Sequence, residues 1–180
     1  MIFNTETEVL KEARDLLAKS GFPLTPEELD SLQANDFGLG DLRKEGFQFI
    51  DILLSPRVRI TLMAVLPNQT LPQHVHPPYD GEPGKEETIR VIYGQGRVGI
   101  NGGKESPGIL IPKGKEKYYT ARQVITLEPG EQFTVEPTVV HWFQAGDEGM
   151  VCICFQNRVD EMKNRFFDPE STGCPIEPVE

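Results

Sequence analysis

Three histidines in 180 residues leave little choice: chemistry that needs an imidazole must draw on His74, His76 or His141. Cysteine is as scarce. Cys152, Cys154 and Cys174 make an odd number with no framework spacing, which argues against a disulfide scaffold and suits a reduced, cytoplasmic setting. Cys152 and Cys154 lack the second cysteine pair of a zinc knuckle, so they read as small buried hydrophobes. Cations are outnumbered, 18 Lys and Arg against 28 Asp and Glu, for a net charge of −10. That balance excludes the basic surface that nucleic acid or an anionic membrane requires. No apolar run approaches membrane-spanning length, and the N-terminus shows no basic-then-apolar leader. Internal repeats and low-complexity tracts are also absent.

Hydrophobic residues make up 38% of the chain, enough for a core, while 17 Gly and 15 Pro favour an all-β body rich in turns. Val9, Leu10, Ala13, Leu16 and Leu17 recur at helical spacing, predicting an amphipathic helix from about Thr5 to Ser20, with Gly21 as its stop. Thr25-Pro26-Glu27-Glu28 starts a second, short helix that ends before Asp36. Gly38 to Asp41 is a turn. From Gly46 the pattern changes to short β-like segments broken by Pro, Gly, Asn and Asp: FQFIDILLS, RVRITLMAVL, ETIRVIYG, GRVGING, QVITLEP, EQFTVEP, VVHWFQAG and GMVCICFQN. About eight such strands without intervening helices predict a sandwich or jelly-roll barrel. The tail from about Arg158 carries one helical turn and docks on the barrel. Edge strands and a helical arm favour a homodimer.

The chemistry concentrates in one phrase, Q-H-V-H-P-P-Y-D-G-E-P-G-K-E-E-T, and in His141 far downstream. In a strand, His74 and His76 share one face because side chains alternate. Past the turn-rich loop from Tyr79 to Gly84, Lys85 and Glu87 share a face with Ile89, Val91 and Tyr93, while Glu86, Thr88 and Arg90 take the other. Three imidazoles and one carboxylate hold a divalent transition metal and leave positions open for a substrate. An ammonium one pleat from that carboxylate suits a site that polarises oxygens. Trp142 is expected on the barrel exterior and Phe143 in the pocket.

These residues resemble the cupin family. Its first motif, broadly G-x5-H-x-H-x(3 or more)-E-x6-G, appears as Asn68, His74, His76, Glu87 and Gly94. Asn replaces the leading Gly and also visits the left-handed region. The second motif is looser: Gly130, Pro137 and His141 match with spacings each off by one, and Ala145 takes the Asn place. HxHPPxDG-x2-GKxET (His74 to Thr88), LEPG-x-Q (Leu127 to Gln132), HWFQAG-x-EG (His141 to Gly149) and DFGLGD (Asp36 to Asp41) look like the D-lyxose isomerase group of sugar-isomerising cupins. The likeness runs from about Leu24 to Pro169.

The resemblance implies an all-β cupin (jelly-roll) barrel at 46–158, a short N-terminal helical arm at 1–45 and a C-terminal tail at 159–180. It implies His74, His76, Glu87 and His141 as ligands of a divalent metal, typically Mn(2+). The implied reaction interconverts a free aldose and its 2-ketose (D-lyxose with D-xylulose, D-mannose with D-fructose) through a cis-enediol. Lys85 matches the family's active-site lysine, and Asp168 matches an acidic residue near the C-terminus. Where the family has a proton-transferring glutamate, counting back fourteen residues from Asp168 arrives at Cys154, which leaves three candidate bases: Asp168, Lys85 and Cys154. A cupin dioxygenase and a sugar-binding cupin without turnover would use the same four ligands. A sugar-phosphate isomerase would need a cradle of Arg and Lys that the inward faces do not supply.

Overall fold

A computed structural model describes residues 3–107 and 109–172. Cys174 and the rest of 173–180 lie outside the described residues. Helix α1 (Phe3–Ser20) is followed by the five-residue α2 (Pro26–Asp30). The start of α2 is fixed as its sequence predicts. Thr25 Oγ1 accepts from Glu28 N (3.2 Å), and Glu28 Oε2 accepts from Thr25 N (2.8 Å), a reciprocal cap. Next comes a strand that the sequence did not announce, β1 (Gln33–Asn35), then β2 (Phe47–Leu54), β3 (Val58–Val65), β4 (Thr70–Val75), β5 (Glu87–Ile100), β6 (Gln123–Leu127), β7 (Gln132–Val135), β8 (His141–Asn157) and β9 (Arg165–Phe166). Among the described residues, no helix is long and apolar enough to cross a membrane.

Two strands organise the rest. ETIRVIYG and GRVGING read as separate strands, as do VVHWFQAG and GMVCICFQN, yet each pair is one long strand with irregular pairing at its middle. β5 and β8 pair antiparallel from Glu87↔Gln156 to Ile100↔His141. The second half of β8 also pairs with β3, and its first half with β4. β5 likewise splits its outer edge between β7 and β6. The result is a sandwich in which β5 and β8 pass from one sheet, β1-β2-β3-β8-β5-β7, into the other, β9-β4-β8-β5-β6. Gly94 lies at the crossing with φ of 71°, where a Cβ would collide with the Gly149 carbonyl. The glycines that look like hairpin turns in sequence are therefore the corner of a continuous ribbon.

Met63, Val91, Leu127, Phe143, Met150 and their neighbours fill the space between the sheets. α1 lays Val9, Ala13, Leu16 and Leu17 on the outer face of the first sheet, against Ile50, Leu62, Ala64 and Val151. Tyr93 joins this outer cluster, because the register shift between Val91 and Tyr93 turns it away from the pocket. Trp142 does point out of the barrel, but it is only 1% exposed. Residues 109–121 cover it, and its Nε1 donates to Ala121 O at 2.8 Å. Gly99 sits opposite it in the register, and a Cβ there would enter the indole ring.

Candidate metal centre

The ligand atoms of His74, His76, Glu87 and His141 lie within 4.8 Å of one another, and all four residues are buried. Their positions follow from strand pairing. His74 on β4 is the direct partner of His141, the first residue of β8. Glu87, the first residue of β5, is set across from them in the other sheet by its pairing with Gln156 and Val135. Asn68, ahead of β4, adopts φ of 58°, the left-handed conformation that lets it replace a glycine. Thr138, before His141, also has positive φ, 70°, a costly conformation for a β-branched residue. Its N–H donates to His76 O at 3.1 Å, tying the turn that delivers His141 to the chain that delivers His76.

Each imidazole is oriented through its Nδ1. His74 Nδ1 meets Pro72 O, His141 Nδ1 meets Val139 O, and His76 Nδ1 meets Asn164 Oδ1, all at 2.8 Å. Carbonyl oxygens only accept, so Nδ1 carries the proton and Nε2 keeps its lone pair for a metal. Burial lowers the pKa of both His74 and His76, with His141 adding to the effect on His74 and Lys85 to that on His76. Burial alone would raise Glu87, but the ammonium of Lys85 opposes it, and Glu87 is held well below the usual carboxylate range. Glu87 Oε1 lies 3.0 Å from His141 Nε2 and 3.4 Å from His76 Nε2. Lone-pair nitrogens facing a carboxylate oxygen call for a cation, so the donor set fits a divalent metal.

Asn164 is the outer partner whose loss is easiest to read. Asn164→Ala is expected to weaken metal affinity about 10–100-fold by freeing the His76 ring. A competition titration against a chelator measures this, and unchanged affinity would show that Asn164 does not set the ring.

The centre opens into a cavity of about 220 Å³. One wall is aromatic. Phe166 stacks on His74 (centroids 5.2 Å), Phe37 leans on Phe166 at a tilt (5.2 Å, 51°), and Phe47 stacks on Phe37 (5.6 Å) and Phe49 on Phe47 (5.1 Å). Phe143 lines it too, as expected. The facing wall is ionic. Lys85 Nζ lies 3.3 Å from Glu87 Oε2 and 3.3 Å from Glu161 Oε2, and Glu161 Oε1 lies 3.4 Å from Arg59 Nη1. Lys85 is 6% exposed. Its burial would lower its pKa, but Glu87 and Glu161 raise it above the ordinary value.

The structure separates the three candidate bases. Lys85 reaches the centre. Cys154 does too, but burial, and then the charge of Glu87, push its thiol well up, and Sγ donates to Glu87 Oε2 at 3.7 Å. It is a protonated neighbour of Glu87 rather than a thiolate. Asp168 is not brought to the cavity. It is buried in an ion pair with Lys115, close to Glu45, whose Oε1 accepts from Tyr119 Oη at 2.7 Å. The positive charge of Lys115 holds Asp168 outside the cavity lining. Sequence reasoning missed Glu161, Asn164 and Arg59. The only signal for the first two was the helical turn expected in the tail.

No protein-family model matches the chain. Among curated proteins, it is 40% identical over 169 residues to the D-lyxose/D-mannose isomerase of Thermosediminibacter oceani, covering 93% of each. It is 39% identical over 171 residues to the D-lyxose ketol-isomerase of Cohnella laeviribosi, covering 92% of this chain and 94% of that one. Among solved structures, the ligand-free L-ribose isomerase of Cellulomonas parahominis superposes with a TM-score of 0.73 at 17% identity, covering 92% of both chains. At that identity the likeness speaks for the barrel alone.

Proposed function

We infer the reaction from one premise: this chain belongs to the D-lyxose isomerase family of cupin-fold enzymes. It is an aldose–ketose isomerase with a monosaccharide substrate. We propose that it acts on free sugars, D-lyxose with D-xylulose and D-mannose with D-fructose, through a cis-enediol. The observation that carries this reading is the buried His74, His76, Glu87 and His141 cluster at the end of a cavity with one aromatic and one ionic wall. Such a cavity matches a sugar, whose C–H faces stack on rings while its hydroxyls seek charge. Its volume is below the roughly 300 Å³ at which drug-sized pockets begin.

A divalent cation at the four ligands would supply Lewis-acid polarisation of the sugar's carbonyl and adjacent hydroxyl, and Mn(2+) is the proposed ion. Lys85 points its ammonium at the same space and serves the oxygen that gains charge in the transition state. Cys154 assists by donating to Glu87, and Asp168 by anchoring the tail.

The proposal extends to a cytoplasmic homodimer, with arm, barrel and tail at 1–45, 46–158 and 159–180. Leu53, Ile60 and Phe155 are neighbours in the register across β2, β3 and β8. Leu53 and Phe155 are 44% and 41% exposed, an apolar row suited to a second copy. Light scattering reads that mass directly.

The function is tested by incubating the manganese-loaded protein with D-lyxose and D-mannose and assaying for ketose. Ketose formation is expected. No turnover across a panel of pentoses and hexoses would leave a sugar-binding cupin in place of an isomerase.

A further inference from the structure

We propose that Glu161 is the catalytic residue that carries the proton between C2 and C1, an assignment that rests on the isomerase reading above. The strand position at which the family resemblance expects a glutamate holds Cys154, a buried thiol turned onto Glu87. Among the described residues, the carboxylates that line the cavity are Glu87 and Glu161. Glu87 belongs to the metal set, so a mobile proton needs Glu161. The carboxylate missing from the strand is thus replaced by one from the tail.

Glu161 is built into place. It opens a short 3₁₀ turn, Glu161–Lys163, whose start is capped by Asp160: its side chain accepts from Met162 N at 3.0 Å. Asp160 N in turn donates to Tyr79 Oη at 2.9 Å, so the HPPYDGEPG loop buttresses the turn. Four donors surround the carboxylate. Asn164 Nδ2 (2.8 Å) and Lys85 Nζ (3.3 Å) reach Oε2; Arg59 Nη1 (3.4 Å) and Gln156 Nε2 (3.5 Å) reach Oε1. Asp51 grips Arg59 at 2.7 and 3.2 Å, so the guanidinium is a fixed support. Asn164 joins Glu161 to His76, which sets the distance between this carboxylate and the centre. The side chain keeps 40% of its surface open. Burial would raise its pKa, but Lys85, Asn164 and Arg59 lower it, so it stands ready as an acceptor.

The step balances without a co-reactant. Glu161 takes the proton from C2 of the open-chain aldose. The C–H electron pair becomes the C1=C2 bond, and the carbonyl π pair moves to O1, which takes a proton from the Lys85 ammonium. The Glu161 carboxyl then returns its proton to C1, O2 gives its proton back to Lys85, and the C2 carbonyl forms.

The test compares the manganese-loaded parent with Glu161→Gln, Glu161→Asp and the double variant Glu161→Gln/Cys154→Glu. D-Lyxose is the substrate, in deuterated water. Glu161→Gln is expected to keep its metal and a KM near the parent's, with kcat lower by about 10²–10⁴-fold and deuterium uptake at C1 reduced in step. Glu161→Asp should recover part of the rate, and the double variant part of it from the strand side. Parent-like kcat in Glu161→Gln, or loss of metal from it, overturns the assignment. A folded, metal-bearing Glu161→Gln that still takes up deuterium at the parent rate does the same. No ketose from the parent overturns both the isomerase reading and this assignment.

Discussion

Lys85→Met is expected to lower kcat by about 10²–10⁴-fold while the metal stays bound. Methionine keeps the length and apolar stem of the side chain but removes the charge that touches both Glu87 and Glu161 at 3.3 Å. Two separate effects follow. The oxygen that becomes negative as the enediol forms loses its nearest ammonium. The two carboxylates also lose the charge between them, and breaking a buried pair costs about 3–5 kcal/mol when the remaining charge is left uncompensated. The metal would relieve that second cost at Glu87. The variant should therefore melt well below the parent without metal and closer to it with manganese. Steady-state kinetics with elemental analysis measures the first effect, and paired thermal melts the second. A kcat like the parent's in a metal-loaded Lys85→Met would remove this lysine from the chemistry.

His141→Ala is expected to empty the centre. His141 is 0% exposed, and its Nε2 lies 3.0 Å from Glu87 Oε1. Losing one donor of four should exceed the about 10–100-fold loss of affinity typical of outer partners, so the purified variant should contain almost no manganese and yield no ketose. Replacing a buried ring by a methyl group also leaves a hole costing about 2–5 kcal/mol. His141→Phe is the companion that fills the hole without restoring a donor. Stoichiometric metal in either variant would mean that His141 is not a ligand.

The order in which these residues became legible follows from the range of the interactions that place them. His74 lies on β4 and His76 is the first residue beyond its end, close enough for alternation to predict a shared face. Glu87 opens β5 and Lys85 sits two residues ahead of it, so the same alternation, carried just past the strand end, predicts their common side. Asn68 could be read as left-handed because the preference belongs to the residue itself. Glu161 and Asn164 offer no such rule. They lie in a tail without periodicity, and partners 76 and 88 positions away, Lys85 and His76, hold them beside the histidine cluster. Asp168 shows the mirror image: an acidic residue in a familiar phrase says nothing of Lys115, 53 positions distant, with which it pairs. The continuity of β5 and β8 was hidden because Gly-rich corners and Gly-rich hairpins look alike along one dimension and differ only in what the flanking strands pair with.

The crossing strands have a consequence for how the protein comes apart. Glu87 begins β5 in one sheet, while His74 and His141 sit on neighbouring strands of the other. An ion shared among them would act as a rivet across the ligand end of the sandwich, away from the Gly94 corner. Saturating metal at a thousand times its dissociation constant adds about 4 kcal/mol to the folded state. Chelation would withdraw that amount from the ligand end first. Heated without its ion, the barrel should spring open at the histidines and hold longest at the glycines.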